Sequence, residues 1–365
     1  MLLVNIQSLI MSRFEQTPLT LKIKAARDFF DPKNFGFEKH GGGWKKALPE
    51  VGAIIFTSLG WEHVHLLTSL KDANSGNALE LASQQQETVF GMEDPRDVMP
   101  PNLLSTMAKT GGSAFVAYTE KEGFTDAGWV GFGFVFGGNS VASESIFLGV
   151  RKEYRSQNSI GFYLRLLQSY TALENGYTRI EWTQCPLRGE IAKLGIGKLG
   201  GTVSRLTIDK YLGTNYTLYG PGSTDRITVE WDLLSPRTHQ KITDISQGVH
   251  RGLTLEDVRG VPVVTGSNVH PFDECMHSTA LYEIPANADE LDGESRITWR
   301  AELRKVFGLL MDTERVEVSG DAGNDPALVQ KITTSGAYQI VDFATGFEGG
   351  VRRNFYVLNR KVMPS

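Results

Sequence analysis

Two cysteines among 365 residues, Cys185 and Cys275, are too few for a disulfide framework and suit a reducing compartment. Basic charge is not in excess either. Lys and Arg number 37 against 42 Asp and Glu, for a formal net charge of -5, so no general polyanion-binding surface is expected and nucleic acid is not an expected partner. Long apolar runs are missing as well. The opening MLLVNIQSLIMSRFEQ has no basic lead and no small-residue cleavage pattern, and it is too short to span a bilayer. No membrane partner is expected and cytoplasm is the default location. Met11-Ser12 is readable as an alternative start. There is no internal repeat and no low-complexity tract, while 41% apolar residues provide for a substantial core.

Periodicity places the elements that are present. In the mixed stretch 12–75 it predicts a helix over Leu19–Phe30, a loop at HGGGW (His40–Trp44) and a strand over Gly52–Leu59; this stretch reads as an appended segment. Helices follow at Ala78–Phe90 and Asn102–Lys109, the second stopped by Gly111-Gly112. Ser113–Tyr118, Ala127–Phe136 and Ser145–Val150 read as an antiparallel meander. Next come a helix over Ile160–Asn175 with Gly176 at its cap, a strand over Arg179–Thr183, a helix over Arg188–Leu199, and strands over Thr202–Ile208 and Arg226–Leu233. Residues 235–278 are rich in turn formers. The remainder is a smaller unit with strands at Ala280–Ile284, Ala337–Phe343 and Arg353–Leu358, a helix at Ile297–Asp312 and a surface loop at 319–326. The fold class expected is α+β, a mixed sheet flanked by helices.

The stretch Glu144–Leu199 organises the rest. A strand ends in charged Arg151–Arg155, and a Ser/Asn/Gly turn opens a helix at Ile160. The first amides of a helix lack internal partners and lie at its positive end, which favours phosphate oxygens there. GIGKLG at Gly195–Gly200 has the spacing of a dinucleotide fingerprint, yet a helix precedes it and a strand follows, the reverse of what that fingerprint requires. It reads as a helix-to-strand turn. HGGG at His40–Gly43 has the composition of an esterase oxyanion loop but lacks the G-x-S-x-G partner, so it reads as a turn. His270, Asp273, Cys275 and His277 crowd one loop without a zinc spacing, and a surface loop is the expectation there. Cys185 stands at a strand end before Pro186, and the sequence assigns it no activating partner. Glu181 and Glu144 are each able to act as a general base if held near a substrate amine, while a solvated surface position is the favoured reading for any single carboxylate.

The order of elements, with LELASQQQETVFGMEDPRDVMPPNLLSTMAKTGG, LGVRKEYRSQNSIGFYLRLLQ, IEWTQCPLRGEIAKLGIGKLGG and GSTDRITVEW, resembles the GNAT superfamily of acyl-CoA-dependent N-acyltransferases. YEIPANADEL, WRAELRKVFGLLM, YQIVDF and NFYVL extend the resemblance, to a bacterial subfamily of GNAT acetyltransferases, across about residues 78 to 358. The resemblance implies an extension (1–75), an acyl-CoA-binding domain (76–240) and a C-terminal α+β unit (241–365). It implies acetyl-CoA or another acyl-CoA as co-substrate and a small-molecule amine as acceptor, with a homodimer open to it. Leu148, Gly149 and Val150 would face the thioester and pantetheine, and Arg155, Gln157, Asn158, Ser159, Ile160 and Gly161 the pyrophosphate. Glu181 or Glu144 would deprotonate the amine, and Tyr211, with Tyr216 and Tyr219 as alternates, would protonate the thiolate. This chain departs from the family pattern at several points. Ser159 takes the middle glycine position of the turn and Ser156 its leading Arg/Gln position. Gln184 and Cys185 replace an aromatic and an aspartate, and Ile191 and Gly195 replace two asparagines. These departures leave two other readings open: a binding protein without acyl transfer, and a lyase or decarboxylase on the same scaffold with Cys185 as participant.

Overall fold

The computed structural model describes residues 18–59, 78–92, 94–139, 141–155, 159–211, 224–249, 252–270, 277–319 and 326–361. The fold is α+β. The chain divides into two compact units, one of residues up to Phe90 with Val98–Ile180 and Asp232–His239, the other of Gly91–Asp97, Glu181–Trp231 and the chain from Gln240 onward.

In the first unit α1 (Leu19–Phe29) leads into β1 (Glu38–His40), β2 (Gly43–Leu48) and β3 (Gly52–Ser58); α2 (Ala78–Phe90), α3 (Pro101–Lys109), β4 (Ser113–Thr119), β5 (Trp129–Phe136), β6 (Ala142–Val150) and α4 (Ile160–Glu174) follow. The strands pair in sequence order, each antiparallel to the next. β3 therefore continues the meander, from Ile54 opposite Thr119 to Ser58 opposite Phe115. The HGGGW stretch is loop only at Gly41-Gly42. Gly43 and Trp44 belong to β2, where a Cβ on Gly43 would come within 2.3 Å of the Phe56 carbonyl and Trp44 meets Tyr170 edge-on at 6.3 Å.

β5, WVGFGFVF, explains how helices cover this sheet on both faces. Phe132 and Phe134 stack at 4.9 Å and bury with Trp129 against Ala82 of α2 and Leu104 and Met107 of α3. On the alternate face Gly133 has no side chain, and a Cβ there would sit 2.6 Å from Gln168 Nε2 of α4. Val130 joins Ile160, Leu164 and Leu167 of that helix and Phe56 and Phe115 of the sheet in a second core. α4 ends, as its sequence predicts, with Gly176 at φ +83°.

His239 stacks on Phe29 at 4.3 Å and contacts the Leu233 carbonyl at 2.8 Å. Burial pushes its imidazole below the usual 6.5, opposed by that carbonyl and by Asp232. The unfolded chain then takes up a proton that the folded one refuses, so the contribution to stability is complete above about pH 6.5 and declines as pH falls below it. Urea midpoints between pH 7 and 5 are expected to fall less steeply in His239→Phe than in the parent.

In the second unit β7 (Arg179–Gln184) supplies its residues from Glu181 on, and α5 (Gly189–Ala192) runs into a π turn over Lys193–Lys198. β8 (Thr202–Thr207), β9 (Arg226–Asp232), α6 (Pro236–Ser246), β10 (Thr279–Ile284), α7 (Gly293–Leu310), β11 (Asp312–Val318), β12 (Val329–Thr334), β13 (Tyr338–Glu348) and β14 (Val351–Arg360) complete the chain. Strands run β9-β8-β13-β14-β10, with β11 parallel to β8 and antiparallel to β12. The glycines of GIGKLG thus end a helix and precede a strand, as read from the sequence.

Three expectations need correction. The stretch read as turn formers holds α6, whose mostly polar residues conceal its apolar anchor Ile242. α7 begins four residues before Ile297, because Asp292 caps it by accepting a 2.7 Å bond from the Ser295 amide. β11 and β12 were not expected: their burial is largely exposed on both faces, so no alternation marks them. Residues 320–325 of the expected surface loop lie outside the described residues. Among the described residues, no helix is long and apolar enough to cross a membrane.

Candidate active-site residues

The turn into α4 starts from β6. Leu148, Gly149 and Val150 pair with Gly133, Phe132 and Gly131 of β5. A register shift leaves Ile146 as an extra residue on β6, since Phe147 faces Phe134 and Ser145 faces Val135. Such bulges re-aim the strand that carries them. Gly149 is held to glycine by packing: a Cβ would approach Val89 of α2 to 2.7 Å and Phe132 to 3.0 Å. The sequence offers no signal for the bulge.

Arg155 folds back on this strand. Its Nε donates to the Val150 carbonyl at 2.8 Å and its Nη2 to the Val89 carbonyl at 3.4 Å. Gln157 and Asn158, with Ser156, lie outside the described residues. Ser159 is the N-cap of α4 at φ 54° and ψ 24°, a left-handed conformation that glycine adopts without strain, and its carbonyl accepts from Tyr163 N at 3.0 Å. Ile160 is buried and Gly161 half-buried in the first turn. The serine thus keeps the conformation that belongs to a glycine, at a cost. Ser159→Gly is expected to stabilise the protein by about 1 kcal/mol, read as a higher urea midpoint with unchanged slope.

Glu144 stands exposed on β6 in the first unit, while Glu181, Cys185 and Tyr211 belong to the second. There Glu181 is half-buried on β7, and Tyr211 is half-buried with its Oη 3.3 Å from Thr183 Oγ1. Tyr216 and Tyr219 lie outside the described residues.

Cys185 is half-buried and its thiol is free. Burial pulls the Arg300 guanidinium of α7 below its usual range, opposed by Cys185 and Asp225. The Tyr356 hydroxyl donates to the Pro186 carbonyl at 2.7 Å, and burial pushes its ionisation well above the usual range. Gln184 accepts the Trp182 indole N–H at 3.1 Å, and Gly195 leaves room for that ring, since a Cβ there would fall 2.6 Å from Trp182 Cζ2. Where the family pattern has two polar side chains, Gly195 therefore serves packing, while Ile191 is exposed. Arg300 was not found from sequence, because WRAELRK reads only as an amphipathic helix. Of the loop around His270, residues 271–276 lie outside the described residues; among the described residues no group of three or more His, Cys, Asp or Glu is arranged to hold a metal.

No family profile matches the chain and no curated protein matches it. Among solved structures it is similar to nourseothricin acetyltransferase, at 19% identity over 34% of this chain and 68% of the other, with a TM-score of 0.28. It is similar to a GNAT family acetyltransferase from Elizabethkingia anophelis with acetyl-CoA bound, at 12% identity over 49% of this chain and 97% of the other, TM-score 0.33. An acetyltransferase of the GNAT family from Staphylococcus aureus matches at 16% identity over 49% and 99%, TM-score 0.32. Over about half of its length, at 49%, the chain is thus similar to solved GNAT-family acetyltransferases.

Proposed function

We propose that the protein is an acyl-CoA-dependent N-acyltransferase that uses acetyl-CoA or another acyl-CoA and transfers the acyl group to a small-molecule amine. The observation that carries this reading is Ser159. The residue at the family's glycine position holds a left-handed conformation at the head of a 15-residue helix, and the strand that precedes it, β6, is bulged. A left-handed residue followed by helical ones turns successive amides toward one point, which suits a pyrophosphate oxygen. Gly161 adds no side chain to crowd it.

In the reaction, the amine nitrogen attacks the thioester carbonyl carbon. The N–C bond forms, the C–S bond breaks, and the amine proton passes to a carboxylate, Glu181 or Glu144. Tyr211 supplies the proton that the departing thiolate needs. Its hydroxyl lies 3.3 Å from Thr183 Oγ1. Backbone N–H groups near Leu148–Val150 are the donors for the carbonyl oxygen as charge develops, since alternate residues of a strand turn their amides away from one neighbour.

Incubation with radiolabelled acetyl-CoA and a panel of primary amines is expected to yield acylated product, lowered about 100-fold or more in Tyr211→Phe if that hydroxyl is the acid. Binding of CoA without transfer to any amine would favour the binding-protein reading instead.

A further inference from the structure

The ladder between β8 and β9 ends where Thr207 faces Arg226, so strand pairing does not fix Tyr211, which lies beyond it. From Asp209 onward side chains hold the chain instead. The Asp209 amide donates to Asp225 Oδ1 at 3.0 Å, and the Thr224 amide donates back to Asp209 Oδ1 at 3.2 Å. The Tyr211 amide donates to Thr224 Oγ1 at 2.9 Å. Asp209 itself stands at φ 49°, a left-handed conformation that persists where its surroundings hold it.

Arg304 of α7 locks this arrangement. Its Nε and Nη2 donate to Asp225 Oδ2 and Oδ1 at 2.9 and 2.7 Å, and the same Nη2 lies 2.8 Å from Asp209 Oδ2. One guanidinium thus binds the buried Asp225 with two nitrogens and also reaches the acid on the opposite segment. A planar fork can do this and a lysine ammonium cannot. Two routes lead from these acids to Tyr211. Thr224, next to Asp225 in the chain, accepts its amide, and Arg226, whose Nη1 donates to the Asp225 carbonyl at 2.8 Å, lies over its ring at 5.5 Å. All of these residues belong to the second unit.

We propose that Arg304 is a positioning residue for Tyr211: by pinning Asp209 and Asp225 it fixes where the phenol stands. That Tyr211 is the acid rests on the acyl-transfer reading; that Arg304 holds it does not. Displacing a proton donor by about 1 Å costs on the order of 100-fold in rate, so loss of the fork acts on kcat. KM for acetyl-CoA should change little, because the residues assigned to CoA, from Leu148 to Gly161, belong to the first unit.

Full-length protein grown with meta-fluorotyrosine carries a fluorine NMR reporter on each of its 11 tyrosines, and the resonance lost in Tyr211→Phe is that of Tyr211. In Arg304→Lys this resonance is expected to broaden and move toward its position in urea-unfolded protein. The resonances of Tyr282, Tyr338 and Tyr356, buried in the same unit and assigned in the same way, keep their positions. Thr224→Val leaves all three charges in place and is expected to displace the Tyr211 resonance likewise. In the transfer assay Arg304→Lys lowers kcat about 10- to 100-fold, changes KM for acetyl-CoA less than about twofold, and lowers kcat no further when added to Tyr211→Phe. An unmoved Tyr211 resonance in either variant overturns the proposal. So does a displacement shared by the three buried tyrosines, or an equal fall in kcat in the Tyr211→Phe background, since either marks a general structural contact. No transfer by the parent, with the Tyr211 resonance displaced in Arg304→Lys, removes the acyl-transfer reading and leaves Arg304 as the residue that holds Tyr211. Transfer with an unmoved resonance removes the positioning role and leaves that reading.

Discussion

Asp342→Leu is expected to cost about 3–5 kcal/mol, because it leaves a buried lysine without its counter-charge. Lys241 Nζ lies 2.9 Å from both Asp342 oxygens and donates to the Gly197 carbonyl at 2.8 Å; both side chains are 10% exposed. Asp342 Oδ1 also accepts the Phe343 amide at 2.8 Å. The bulge that inserts Val341 between Ile340 and Asp342 lets the acid occur inside the apolar strand β13. The pair thus joins β13, the π turn and the C-terminal half of α6 within the second unit. Urea denaturation should show Asp342→Leu and Lys241→Met each strongly destabilised. Replacing the pair with apolar residues is often neutral, so the double variant should regain most of the loss. Additive losses would mean that the two charges are not coupled.

Gly195→Ala is expected to destabilise by about 1–3 kcal/mol, since the added methyl overpacks a filled site. The obstacle is the Trp182 indole at 2.6 Å, a ring only 4% exposed and tied to Gln184. Gly308 is the control with the opposite sign. It lies on an exposed face of α7 with nothing within 4 Å of an added Cβ, so Gly308→Ala should stabilise by about 0.5–1 kcal/mol through helix propensity. Equal effects at the two glycines would refute the packing role of Gly195.

Elements with an apolar stripe were legible in the sequence. α2 has the predicted bounds Ala78–Phe90, and β4 to β6 form the predicted meander, because each carries the apolar residues that its packing buries, on both faces in β4 and β5. Elements stabilised in other ways were not. α6 buries polar Thr238 and Lys241 beside Ile242, and the hairpin of β11 and β12 buries neither face for most of its length. The same division runs through the candidate residues. The helix start at Ile160 was legible from the apolar spacing that follows the Ser/Asn/Gly stretch, while the left-handed conformation of Ser159 was not read from the sequence. The bulge at Ile146 was hidden because it alters pairing without altering composition.

Isothermal titration of acetyl-CoA into the full-length protein tests the central claim most directly. Saturable one-to-one binding is predicted for the parent. Ser159→Val, whose β-branched side chain opposes the left-handed conformation, should weaken binding about tenfold or more, and Ser159→Gly should retain it. No saturable heat with the parent, or equal affinity in Ser159→Val, would contradict the account.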